Sequence, residues 1–206
     1  MKKTPATDAK QSAAAQDPVL ATRERIVRAA SRLMQRQGYA GTGIKQISLE
    51  AQATLGSVYH FFPGGKQELA VAAIRHGDLE FAEELRTALG SETDPADAVL
   101  AFTRHLATGL RTSDWIDGCP ITTTALGTAG SSPDIQSAAA EAFARWREIV
   151  FDKLRETGIA ETDAHDLAHT VISTLEGAEL AAQVSRSSEP LDIAGKHLAR
   201  LITAYL

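Results

Sequence analysis

Apolar residues recur along this chain at intervals of three and four, and no stretch alternates apolar and polar at a period of two. That pattern predicts an all-α fold of about nine helices and no strand. A first helix over about 23–37, capped by Thr22 and ended by Gly38, carries an inner stripe of Ile26, Ala30, Leu33 and Met34. Ile44, Ile47 and Ala51 mark a short second helix, Gln52-Ala53 a tight break, and Thr54 the cap of a third. The third helix, about 55–62, is stopped by Pro63-Gly64-Gly65. A long helix follows over about 65–89, with Leu69, Ala73, Leu79, Ala82, Leu85 and Leu89 on its apolar side and a weak point at Gly77. Pro95 opens the next, to about Thr112, with Val99, Phe102, Leu106 and Leu110 inward. Residues 112–118 read as a loop, and Cys119-Pro120 begins a short helix to about Ala129. Ser132-Pro133 begins a long helix ending before Gly158, with Ala139, Ala142, Phe143, Trp146, Val150 and Leu154 on one side. Thr162 caps another to about Ser185, whose stripe is Leu167, Val171, Leu175, Ala178 and Ala182, and Pro190 opens the last.

The second and third helices carry the most specific information. Val58 and Phe62 stand four apart and face inward, which leaves Gly56, Ser57, Tyr59 and His60 on the opposite face. That face is small or hydrogen-bonding and holds no acid. Two short helices across a tight turn, the second small and polar outside, form a helix-turn-helix suited to a major groove. Charge is distributed to match. Residues 1–76 hold 11 Lys+Arg against 5 Asp+Glu, and residues 77–206 hold 10 against 21, so a head of +6 is joined to a body of −11. A basic head is drawn to a polyanion, and an acidic body is kept away from one. Residues 1–18 are too polar to bury anything and read as a disordered arm, 19–66 as the DNA-binding domain, and 67–206 as a ligand-binding and dimerisation domain.

These residues resemble the TetR-type one-component transcriptional repressors. The family's pattern falls here on Thr42 (or Gly43), Ile47-Ser48, Ala51-Gln52-Ala53-Thr54, Gly56, Tyr59 and Phe62, with Lys66 opening the next helix. One departure is Gln52, which stands where the family has a turn glycine, so the break must avoid a positive φ or tolerate one. The resemblance implies that Thr42, Thr54, Tyr59 and Lys66 reach phosphates, that Gly56 lets the backbone approach DNA, and that Lys45, Leu55, Ser57 and His60 point at base edges. It also implies repression, with a homodimer formed through the helices at about 133–157 and 162–185 and binding a pseudo-palindromic double-stranded operator. Both helices are rich in alanine on a wide face, which a second copy would cover.

The signal is expected in the acidic body, where a small, hydrophobic or aromatic effector would be received. Its candidate contacts are Phe102, His105, Trp115, Cys119, Thr123, Trp146 and Glu176, with core filling the alternative for each. Asp117-Gly118-Cys119-Pro120 and Glu176-Gly177-Ala178 resemble the LmrA/YxaF-like subgroup, which implies drugs or flavonoid-like aromatics as effectors. A single cysteine excludes an intrachain disulfide, and the N-terminus lacks the apolar run of a signal peptide, so a cytoplasmic location is expected. No apolar run approaches bilayer length. His165 and His169 stand at i, i+4 without a third ligand, and no nucleophile elbow or phosphate loop is present, so neither a metal, a cofactor nor an enzymatic activity is expected. The competing reading is a helical ligand-binding or interaction protein with a degenerate head.

Overall fold

The computed structural model describes residues 18–206, with side chains from Thr22 onward; the arm read over 1–18 lies almost wholly outside the described residues. Nine helices and no strand are found among them: α1 (Pro18–Gly41), α2 (Ile44–Glu50), α3 (Leu55–Phe61), α4 (Gly65–Gly90), α5 (Pro95–Thr112), α6 (Thr122–Leu126), α7 (Pro133–Glu156), α8 (Glu161–Ser185) and α9 (Glu189–Thr203).

The expected boundaries hold to within a few residues, with physical reasons for the exceptions. Helix α1 begins at Pro18, so Thr22 lies inside it instead of capping it. Gly38 takes φ 69° and ψ 175°, a left-handed conformation open to a residue without a Cβ, and the chain kinks there before a last turn to Gly41. Thr162 also lies inside its helix, because α8 starts one residue earlier and Ala160 precedes it without a side-chain cap. Asp94 does cap α5, accepting from the amides of Ala96 and Asp97 ahead of Pro95.

Helices α1, α2 and α3 pack around Ile26, Met34, Ile47, Val58 and Phe62, all buried. Burying a side chain of this size stabilises by roughly 1.5–3 kcal/mol, so these five positions set the geometry of the head. Helix α4 leaves the head, packs along α1 and continues into the body against α7 and α5. Its inward face is Leu69, Ala73, Ile74, Phe81, Ala82, Leu85 and Leu89; Leu79, expected there, is 60% exposed because it falls on the far side of the turn from Phe81 and Leu85. Gly77 is a close approach and not a weak point: a Cβ there would lie 2.8 Å from Pro120. Helix α9 closes the body over α5 and α8, with Gly195 so near Thr103 that a Cβ would lie 2.5 Å from its hydroxyl.

The body's core centres on aromatic contacts. Phe81 meets Phe102 edge-on at 5.6 Å and Trp146 at 4.0 Å, and Phe143 meets Trp146 edge-on at 5.1 Å. Within this core Asp78 of α4 accepts from the Trp146 indole and from Arg145 Nε of α7, each at 3.0 Å. The carboxylate thereby ties α4 to α7 at mid-length.

Candidate nucleic-acid interface and its coupling to the body

The turn between α2 and α3 resolves the question raised by Gln52. Gln52 has φ 50°, the left-handed conformation, and its amide donates to Leu49 O at 3.1 Å while Ala53 N donates to Ser48 O at 2.9 Å. These two bonds make a Schellman C-cap, so the turn forms with the geometry a glycine would give, at some cost in strain. Arg25 of α1 donates from Nε to Ala51 O at 3.1 Å and braces the same turn from behind. Thr54 then caps α3, accepting from Ser57 N at 3.0 Å, and its hydroxyl shares a hydrogen bond with Ser57 Oγ at 2.9 Å.

Helix α3 buries Val58 against the head and turns Leu55, Gly56, Tyr59 and His60 outward, with Ser57 half-buried. Nothing in the protein crowds Gly56: a Cβ there would meet only Thr54 Oγ1 at 3.7 Å. Its lack of a side chain is therefore not demanded by internal packing. Lys45 projects from α2, exposed and without a partner among the described residues. Lys66, near the start of α4, lies with its ammonium 4.4 Å from the centre of the Tyr39 ring, and partial burial lowers its pKa. Thr42 is not on this surface. It is 1% exposed, and its hydroxyl donates to Gly38 O at 2.9 Å, which closes the turn between α1 and α2.

The arginines of α1, expected along an open face, are mostly engaged within the protein. Arg28 pairs with Glu24, Arg32 with Glu50 at 2.9 Å, and Arg23 lies over the Phe62 ring at 5.2 Å. Arg36 grips Asp117, of the loop before α6, through two parallel bonds of 2.5 and 2.7 Å. Beside it Gln35 donates to Gly118 O at 2.5 Å. The DNA-binding head is thus fastened to the body by one loop as well as by α4.

That loop also reaches α8. Thr122 donates to Glu176 at 2.8 Å, and Gln183 donates to Ile116 O at 2.8 Å. Burial pushes the Glu176 carboxyl above its ordinary pKa, although its bonds from Thr122 and Cys119 oppose the rise. The Cys119 thiol is buried and pushed well up by the same loss of solvent, with Glu176 and Glu179 adding to it, so it is a poor nucleophile.

The seven residues expected to meet an effector are scattered. Phe102 and Trp146 are fully buried core members. Trp115 is half-buried at the loop, with φ 65°. Thr123 is exposed on α6, and its carbonyl abuts Gly38 of α1. Glu176 lines a groove of about 600 Å³ between α6, α7 and α8, with Phe143, Ile172 and Leu180. His105 pairs with Glu84 at 3.2 Å beside a separate cavity of about 200 Å³ between α1, α4, α5 and α8. Sequence reasoning missed Glu179, which lines that second cavity. The signal was present: Glu179 stands four after Leu175 and three before Ala182, inside an apolar stripe.

A capped recognition helix on a basic head, joined to a larger helical body, defines a DNA-binding regulator of transcription. Residues 26–73 match the family of bacterial regulatory proteins, tetR family, and residues 95–197 match the transcriptional regulator LmrA/YxaF-like C-terminal domain. The chain belongs to the TetR family of bacterial transcriptional regulators, with a body of the LmrA/YxaF-like type. It is 35% identical to the HTH-type transcriptional regulator LmrA of Bacillus subtilis over 170 residues, 82% of this chain and 90% of that protein. It is 32% identical to the uncharacterized HTH-type transcriptional regulator YxaF of the same organism, over 88% of this chain and 95% of that one. A TetR transcriptional regulator from Chloroflexus aurantiacus superposes with a TM-score of 0.76 at 30% identity, covering 90% of this chain and 96% of the other. These relatives are named as regulators of transcription and not as enzymes. No helix of the described residues is long and apolar enough to cross a membrane.

Proposed function

We propose that the chain is a homodimeric repressor that holds a pseudo-palindromic operator and releases it when a small, hydrophobic or aromatic effector enters the body. The observation that carries the DNA-binding part is the outward face of α3, which offers Leu55, Gly56, Ser57, Tyr59 and His60 without an acid. In this reading Tyr59 and Lys66 hold phosphates, Thr54 sits at the same backbone, and Lys45, Leu55, Ser57 and His60 meet base edges. Thr42 serves by shaping the α1–α2 turn, since its hydroxyl is already bonded.

Dimerisation follows from the outer surface of α6, α7 and α8. Leu126 is 68% exposed, Leu180 52% and Val184 78%, and the first two border the groove of about 600 Å³. A second copy placed across α7 and α8 would cover them, and large apolar patches of this kind are uncommon on free surfaces. Two heads on such a dimer reach half-sites separated by about one helical turn, roughly 34–36 Å, or a multiple of it. An effector acts by binding the dimer state whose heads are misplaced, and its effect is limited by its differential affinity for the two states.

The test is selection of bound duplexes from a random pool by the purified protein at moderate salt. Enrichment of a pseudo-palindrome is expected. A folded dimer that enriches nothing would sink the repressor reading and leave ligand binding alone.

A further inference from the structure

The cavity between α1, α4, α5 and α8 has an unusual electrostatic wall. Glu80 and Glu84 of α4, Asp117 of the loop and Glu179 of α8 all line it, and no lysine or arginine does. Three of these acids have partners: Glu80 pairs with His76, Glu84 with His105, and Asp117 with Arg36. Glu179 has none. It is 5% exposed, and its Oε2 is buried without a hydrogen-bond partner among the described residues. An unpaired buried carboxyl is costly, and sites that retain one usually have a use for it. Phe81, Leu106 and Leu110 supply an apolar wall beside it.

We infer that this cavity receives a small lipophilic organic cation, a single-ring ammonium or amine, with Glu179 as its counter-ion and the Phe81 ring as its apolar platform. An anion is excluded by the acids around the cavity. A neutral apolar guest would leave Glu179 Oε2 unsatisfied. A cation meets both requirements, and its positive charge is further favoured near an aromatic face. The volume, about 200 Å³, limits the guest to roughly one ring with its ammonium group.

The position gives such a ligand leverage. Ser31 and Gln35 of α1 line the same cavity, and Gln35 is the residue bonded to Gly118 O. A guest that displaces Gln35 loosens the head from the loop. This last step rests on the effector-released repressor reading above; the binding itself does not.

Solvent exclusion, with Glu176 and Glu84 nearby, raises the Glu179 carboxyl to about 8. The titratable groups around it are Glu80 and Glu84 on α4, His105 on α5, Asp117 and Cys119 on the loop, and Glu176 on α8; α1 contributes only Ser31 and Gln35. Near pH 7 the carboxyl must therefore lose its proton to receive a cation.

The experiment is calorimetric titration of the full-length protein with phenyltrimethylammonium and with tert-butylbenzene, its neutral isostere, in buffers of different ionisation enthalpy. A quaternary ammonium carries no proton, so any proton released comes from the protein. The expected result is at least tenfold tighter binding of the cation, close to one proton released per site at pH 7, and about tenfold gain in affinity from pH 7 to above 8. Glu179→Gln should abolish both the preference and the proton release. Equal affinities, no binding of the cation, or a preference that survives in folded Glu179→Gln would overturn the inference. If that variant does not fold, proton release by the unaltered protein decides, and a value near zero overturns it. Operator binding is assayed separately: DNA binding without cation binding removes this inference alone, and cation binding without DNA binding removes the repressor reading alone.

Discussion

The guanidinium of Arg36 and the carboxylate of Asp117 meet in a two-pronged clasp, Nε to Oδ1 at 2.5 Å and a terminal nitrogen to Oδ2 at 2.7 Å, across 81 residues of sequence. It joins the helix that supports the DNA-reading unit to the loop that also touches α8. Hydrogen bonding to Asp117 raises the arginine's pKa further, so the clasp stays charged at any physiological pH.

Because the pair is partly exposed, its contribution to stability is small, up to about 1 kcal/mol. Asp117→Ala should therefore unfold at nearly the same denaturant concentration as the unaltered protein. Amide exchange across 113–118 and the second half of α1 should nevertheless quicken, since Gln35 is then the remaining direct tie of α1 to the loop's 117–118 end. Unchanged exchange in both segments would show that the clasp does not fasten the head.

At Gln52 the helix-turn-helix break holds a side chain in a left-handed conformation, φ 50°. Gln52→Gly removes that strain and should stabilise the head by about 1 kcal/mol. The midpoint of denaturant unfolding should rise with the slope unchanged. A loss of stability would mean that the Gln52 side chain makes contributions larger than its strain.

Asp78 should be far less replaceable. Asp78→Ala leaves the buried Trp146 indole N–H without an acceptor and releases Arg145, and a loss of about 2–4 kcal/mol is expected. Asp78→Asn keeps an acceptor for the indole and should lose less. Thermal unfolding of the two variants side by side checks the order, and equal losses would assign the effect to the charge alone.

Stability should depend on pH through Glu179. Its carboxyl titrates near 4.5 in the unfolded chain and is raised to about 8 in the fold by burial, with Glu176 and Glu84 adding to the rise. Between those values the folded state holds a proton that the unfolded state has lost, so stability falls as pH rises through the window. Below it both states are protonated and no difference remains; above it the full penalty applies, at most roughly 4–5 kcal/mol. The difference in melting temperature between Glu179→Gln and the unaltered protein should grow from pH 5 to about 8.5 and then level. A difference independent of pH would show that the carboxyl is solvated.

On the DNA surface, the two lysines should behave differently. Lys66→Ala should weaken binding to all duplexes alike and reduce the slope of log affinity against log salt by about 1. Lys45→Ala should change preference at one base position, by about 1–3 kcal/mol. With about six phosphates engaged by a dimer, affinity should fall roughly a thousandfold between 50 and 200 mM salt. Identical effects of both substitutions would refute the assignment of roles.

The periodic stripes of Ile26–Met34, Val99–Leu110 and Leu167–Ala182 were legible because a helix core face repeats at 3.6 residues whatever lies opposite. The cap at Thr54 and the stop at Pro63-Gly64-Gly65 were legible for the same local reason, since capping and chain breaking involve neighbours in sequence. Leu79 and Thr42 were misplaced. Leu79 fits a stripe almost as well as Phe81 does, and only packing against α5 and α7 chose between them. Thr42 has a hydroxyl that serves equally well on a phosphate or on Gly38 O, and only the fold of the turn decided which.

By itself the sequence determined the helices, the turn chemistry of the DNA-reading unit and the separation of a basic head from an acidic body, all of which follow from local periodicity and composition. The tertiary structure alone decided that Arg36 grips Asp117, that Asp78 anchors Trp146 and that Glu179 is left buried without a partner. Those relationships join residues up to 81 positions apart, and a contact of that kind depends on where each helix comes to rest, which no local rule of spacing encodes.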